Sequence, residues 1–141
     1  MTPRKLTDTY SVSPQISPED AAAIREAGFV MVLCNRPDEE NPAPLQAEAM
    51  RQAIEAEGLR FDVLPLTHQT MNAENILRQQ EIVANAGGPV LAYCASGTRC
   101  TVIWALGNAK SQGPDQVIET AREAGYDIAG LRPTLEALAQ A

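Results

Sequence analysis

Cys94 and Arg99 stand five positions apart, joined by Ala95, Ser96, Gly97 and Thr98. Those residue types suit a sulfur nucleophile beneath an anion cradle. A tight loop that runs into a helix points several backbone N–H groups at one spot, and that spot favours negative charge. Gly97 allows a backbone turn that a side chain would block. Arg99 can fold back over the cradle and grip an oxyanion with its planar fork. Cys94, at the bottom, feels both the helix N-terminus and Arg99, and each favours thiolate over thiol. Ser96 and Thr98 add hydroxyl donors. On spacing alone a cysteine four residues short of an arginine is a weak pattern, since free cysteines commonly just fill core. Its setting strengthens it: an apolar strand before the loop and a helix after it.

The flanking chain supplies that setting. Ser17-Pro18-Glu19-Asp20 is a helix start, with Ser17 at the cap and Pro18 at the first helical position, and Gly28 stops that helix. The apolar run over 29–34 predicts a buried parallel strand. A helix follows over 45–57, then a strand over 59–66. Asn72 caps a third helix over 72–86, which Gly87-Gly88 ends. A strand over 89–93 leads into the loop. Helices over 99–110, 114–124 and 133–140 complete the chain, and 9–12 reads as a short strand near the start. Alternating strands and helices predict an α/β three-layer domain, with a mostly parallel central sheet flanked by helices, over 1–141. Ligands of such sheets bind beyond the carboxyl ends of the strands, so the loop after Tyr93 is the place to expect a site.

The composition is that of an ordinary globular chain: 141 residues, 45% hydrophobic and 21% charged. A net charge of −7 argues against a nucleic-acid partner, whose phosphates such a surface repels. Nine of the 11 basic residues are arginine, suited to a local anion clamp. Three cysteines and one histidine supply neither a disulfide framework nor a metal site, and no organic cofactor is implied. No apolar run is long enough for a membrane span, and residues 1–14 lack the apolar core of a signal peptide. The expectation is a reduced, cytoplasmic protein.

Several segments together resemble the bacterial beta-lactamase-hydrolase-like family, described both as phosphatase-like and as sulfurtransferase-like. They are Lys5-Leu6-Thr7 with Tyr10 to Gln15, Cys34-Asn35-Arg36-Pro37-Asp38, Tyr93-Cys94 with Ser96-Gly97-Thr98-Arg99, Trp104-Ala105-Leu106, Ala124-Gly125-Tyr126-Asp127 and Gly130-Leu131-Arg132-Pro133. The resemblance implies a dual-specificity-phosphatase-like fold, a nucleophilic Cys94 and an anion-binding Arg99. Where the family usually has arginine after the cysteine this chain has Ala95, and where serine usually follows the arginine it has Cys100.

Two activities are compatible with this loop. Phosphatases of this fold typically separate cysteine and arginine by five residues, whereas rhodaneses resemble the four-residue spacing seen here. Cleaving a phosphomonoester needs a proton for the leaving alkoxide, usually from an aspartate. No aspartate lies between Val63 and Pro114, and the loop after the second long strand offers only Thr67, His68, Gln69 and Thr70. Sulfite or a thiolate leaves without a strong acid. The residues therefore favour a rhodanese-type sulfurtransferase that carries sulfane sulfur as a Cys94 persulfide, from thiosulfate or a persulfide to a thiol acceptor. The alternative is a phosphatase for phosphate esters that works through a Cys94 phosphocysteine, with His68 or water giving the proton. A third reading, held open by Ala95, is a non-catalytic anion- or sulfide-sensing module.

Arg36, at the end of a strand on the same sheet edge, could supply the cation that Ala95 withholds, or could simply pair with Asp38, Glu39 or Glu40. Cys100 brackets the loop and could resolve an oxidised Cys94. Cys34 ends a strand expected beside the Cys94 strand, where several phosphatases of this fold have a second cysteine that forms a protective disulfide. Trp104 is expected in the core and Arg132 on the surface.

Overall fold

Five strands of four residues each form the sheet: β1 (Arg4–Thr7), β2 (Tyr10–Ser13), β3 (Met31–Cys34), β4 (Arg60–Val63) and β5 (Val90–Tyr93). In the computed structural model, which describes all 141 residues, their order is β1-β2-β5-β3-β4. β2, β5, β3 and β4 run parallel, and β1 is an antiparallel edge. Every residue of β2, β3 and β5 is buried, as expected of strands covered on both faces.

Side chains alternate across the sheet. Val90 and Ala92 of β5, with Met31 and Leu33 of β3, join one core. Leu91 and Tyr93, with Val32 and Cys34, join the other. Helices α1 (Ala21–Glu26) and α2 (Ala47–Ala56) cover the second core through Ile24, Met50 and Ile54. Helices α3 (Ala73–Ala84), α4 (Thr98–Gln112), α5 (Pro114–Glu123) and α6 (Arg132–Gln140) close the first through Ile76, Ile103, Val117 and Leu135. These are the three layers anticipated, and Trp104 packs in the first core.

The differences are local. β1 is an additional strand: its hairpin with β2 buries only Leu6, so alternation over four residues is faint. The first helix opens as a 3₁₀ turn, Pro18–Asp20, and Asp20 accepts a hydrogen bond from the Ser17 N–H at 2.9 Å. Asn72 does cap α3, accepting from the Asn75 N–H at 2.9 Å. β4 ends at Val63, although the Leu64 and Leu66 N–H groups still bond to Cys34 and Asn35 carbonyls at 2.9 Å. Pro65 between them has no N–H with which to continue a ladder.

Register aligns the strand ends. Ser13 and Cys34 both lie opposite Tyr93, and Val63 lies opposite Cys34. The chain segments leaving β2, β3, β4 and β5 therefore emerge at one edge of the sheet. No helix is long and apolar enough to cross a membrane.

Candidate active site

Cys94 is buried at the end of β5, and the loop turns into α4 at Gly97, whose φ of 93° is the left-handed conformation that glycine adopts freely. A side chain at Gly97 would also overlap Tyr126 Oη. The loop carbonyls are bonded outward. The Ala95 oxygen accepts from the Gln15 N–H at 3.2 Å, and the Ser96 oxygen accepts from Tyr126 Oη at 2.9 Å. The Gly97 oxygen accepts from the Thr101 N–H at 3.1 Å and from Thr101 Oγ1 at 2.9 Å. With the carbonyls turned away, the Gly97 N–H faces inward and reaches Cys94 Sγ at 3.1 Å, while the Thr98 N–H donates to Ser96 Oγ at 3.3 Å. The Arg4 guanidinium lies 5.0 Å above the Tyr126 ring, which braces the loop from outside.

The Cys94 thiol is pulled down to about 5. Its largest support is the neighbouring Cys100 thiol; the backbone N–H groups of Cys100, Gly97 and Arg99 add to it, against the opposing effect of burial. Burial and the neighbouring Cys94 charge push the Cys100 thiol up, so it stays protonated and remains a donor. Cys34 sits differently. Alternation turns it into the other core, where its thiol donates to the Arg36 carbonyl at 3.4 Å and burial pushes it up. The thiol against Cys94 is thus that of Cys100.

Arg99 is held from three sides. Its Nη1 donates to Glu40 Oε2 at 2.8 Å and to the Leu66 carbonyl at 2.9 Å, and its Nη2 donates to Glu40 Oε1 at 2.8 Å. Arg36 does not reach the cradle as a free cation. Its Nε donates to the same Glu40 Oε1 at 3.1 Å, and its Nη1 donates to Gln15 Oε1 at 3.1 Å. That is the ion-pairing alternative, with Glu40 shared between two guanidiniums. Arg99, and then Arg36, hold the Glu40 carboxyl below the usual carboxylate range.

Beside Arg99 opens a cleft of about 420 Å³, into which Ser96, Thr98 and His68 also face. Ser96 Oγ donates to Thr98 Oγ1 at 2.9 Å. His68 is exposed on the segment after β4, and Ala95 is exposed on the loop. Arg132 stays at the surface, paired with Asp115 at 2.6 Å.

A buried polar chain braces the first turn of α4 from below. Asn35 Nδ2 donates to Gln79 Oε1 at 2.9 Å, and Gln79 Nε2 donates to Asn35 Oδ1 at 2.8 Å and to Tyr10 Oη at 3.1 Å. Tyr10 Oη in turn donates to the Cys100 carbonyl at 2.7 Å. Sequence reasoning missed Gln79, Tyr126 and the hold of Glu40 on Arg99. Only a glutamine on the inner face of an otherwise mixed helix hints at the first.

Comparison with known proteins agrees with this geometry. Residues 3–111 match the model of the beta-lactamase hydrolase-like protein, phosphatase-like domain. A beta-lactamase hydrolase-like protein of Agrobacterium fabrum is 28% identical over 105 residues, which are 74% of this chain and 24% of that protein. The chain thus spans about a quarter of the length of the curated relatives it matches. A candidate phosphatase of Neisseria meningitidis z2491 superimposes with a TM-score of 0.87 at 30% identity, covering 95% of this chain and 96% of that one. Tk-PTP superimposes with a TM-score of 0.71 at 18% identity over 99% and 95% of the two chains, which shows the shared fold. These matches place the chain among phosphatase-like domains, and they support the phosphatase alternative over the sulfurtransferase expectation. With the family model spanning most of its length, the chain belongs to the beta-lactamase hydrolase-like family, as its phosphatase-like domain.

Proposed function

We propose that the protein is a cysteine-dependent phosphatase. The observation that carries this reading is the Cys94 sulfur, drawn down to about 5 and so ionised at neutral pH, beneath inward N–H groups and beside Arg99. In the first step the Cys94 thiolate attacks phosphorus, a P–S bond forms and the P–O bond to the leaving group breaks. The N–H groups of the loop, including that of Gly97, and the Ser96 and Thr98 hydroxyls hold the phosphoryl oxygens. Arg99 makes no hydrogen bond through Nε, so the Nε edge of its fork is available to the phosphoryl group while Glu40 fixes the opposite end. Where the leaving group needs a proton, His68 or water gives it. Water then attacks the phosphocysteine and releases phosphate, and Cys94 departs as the thiolate its surroundings favour. A phosphate ester is the expected substrate class, in keeping with a fold relative, P. aeruginosa TpbA, that has been solved in complex with pTyr.

The four-residue spacing of Cys94 and Arg99 favours a second reading, sulfane-sulfur transfer through a Cys94 persulfide. One paired assay on reduced protein separates them: p-nitrophenyl phosphate hydrolysis and thiosulfate-dependent sulfur transfer, each beside Cys94→Ser. Phosphate release abolished by Cys94→Ser, without sulfur transfer, is expected. Sulfur transfer that depends on Cys94, without phosphate release, overturns the proposal.

A further inference from the structure

No hydrophobic residue lines the cleft beside Arg99. Besides Arg99 itself, Glu40, Thr67, His68, Gln69, Ser96 and Thr98 line it. An aromatic leaving group bound here meets no hydrophobic side chain, only the aliphatic parts of polar ones, and so gains less from burial.

The inventory of acids is equally narrow. Glu40 carries two guanidiniums, Arg99 at 2.8 Å through both oxygens and Arg36 at 3.1 Å, so it is held as a carboxylate. The nearby Asp38 is spent on structure: its Oδ1 accepts the Ala47 N–H at 2.8 Å and caps α2. His68 is exposed, and its side chain makes no hydrogen bond that would orient it on a leaving oxygen. An alkoxide leaves poorly without a well-placed acid, a contribution of about 10²–10⁴-fold. The leaving group this cleft accommodates is therefore polar, small and stable as an anion. A carboxylate meets all three conditions.

We propose that the cleft takes small acyl phosphates, the mixed anhydrides of phosphoric and carboxylic acids, and that the carboxylate departs unprotonated. The inference rests on the phosphatase reading and names its substrate class. The Cys94 thiolate attacks phosphorus; the P–S bond forms, and the P–O bond to the acyl group breaks with its electron pair on the carboxylate. Water then attacks phosphorus and the P–S bond breaks. Cys94 regains its thiolate, one water proton stays on the phosphate and the other passes to it or to solvent. No oxidant, reductant or further reactant enters. Gln69 lines the same cleft, and its side-chain amide is a donor of the kind a departing carboxylate can accept from.

The test compares acetyl phosphate, p-nitrophenyl phosphate and glycerol 3-phosphate on the full chain, with phosphocysteine trapped by rapid quench and located by mass spectrometry. Acetyl phosphate is expected to exceed p-nitrophenyl phosphate in kcat/KM by at least about tenfold and glycerol 3-phosphate by about 10³-fold. Its kcat/KM is expected to stay level from roughly pH 6 to pH 9, since no group must deliver a proton. Two results overturn the inference while leaving the phosphatase reading intact. One is an aryl or alkyl ester matching acetyl phosphate. The other is a fall of about tenfold or more in acetyl phosphate turnover as the pH rises through that range. Absence of phosphate on Cys94 with all three compounds overturns the phosphatase reading, and this inference with it.

Discussion

Replacing Cys100 by alanine removes the thiol that most supports the Cys94 thiolate and leaves the backbone cradle in place. Cys100 is fully buried, and its thiol is the largest support of the Cys94 thiolate. A hydrogen bond to a charged group contributes about 1.5–3 kcal/mol, and a thiol, as a weak donor, falls toward the lower end. At 1.36 kcal/mol per pKa unit, the loss of the bond raises Cys94 by roughly 1–2 units. Cys94 then moves from about 5 to about 6–7. At pH 6 the native protein is about nine-tenths thiolate and Cys100→Ala between roughly a tenth and a half. The assay is the pH dependence of iodoacetamide alkylation, with the labelled peptide identified by mass so that Cys34 does not enter the signal. Cys100→Ser restores a donor at the same place and is expected to titrate near the native value or below it. If Cys100→Ala titrates within about 0.3 unit of the native protein, with an unchanged circular dichroism spectrum, the S–H is not what holds the thiolate. Its stabilisation then belongs to the backbone N–H groups and Arg99.

Gly97→Ala forces a Cβ onto Tyr126 Oη at a φ of 93°. It is expected to lower thermal stability and to cost at least about tenfold in Cys94-dependent turnover, because the loop N–H groups lose their aim; turnover within about twofold of native counts against the cradle. A second expectation concerns pH. The folded Cys94 is depressed to about 5, below its unfolded value of about 8.5. Its stabilising contribution is therefore complete above about pH 8.5 and is lost as the pH falls toward 5. In urea denaturation, the stability of the native protein relative to Cys94→Ser is expected to be largest at pH 9 and to shrink by pH 5; a difference independent of pH contradicts the depressed thiolate.

Much of the frame was legible because its signals are local. The apolar run before Cys34, the proline and glycine boundaries of the helices, and the small residues between Cys94 and Arg99 each depend on neighbours a few positions away. The β1 strand escaped because four residues with one buried side chain carry no usable period. The end of β4 falls at Val63 rather than residue 66, because beyond it the hydrogen bonds of Leu64 and Leu66 to Cys34 and Asn35 replace regular pairing.

The site divides in the same way. Sequence by itself determined that a cysteine ends a buried strand, that a glycine turns the chain into a helix, and that an arginine stands one turn on. Those facts follow from periodicity and backbone chemistry. Only the tertiary structure decided which groups meet those residues. Glu40 reaches Arg99 across 59 positions, Tyr126 reaches the Ser96 carbonyl across 30, and Gln79 reaches Tyr10 across 69. Sheet alternation sends Cys34 to the far core, while the first turn of α4 brings Cys100 to the Cys94 sulfur. Strand order and register determine such meetings, because residues distant along the chain come together only when the parallel strands align their carboxyl ends.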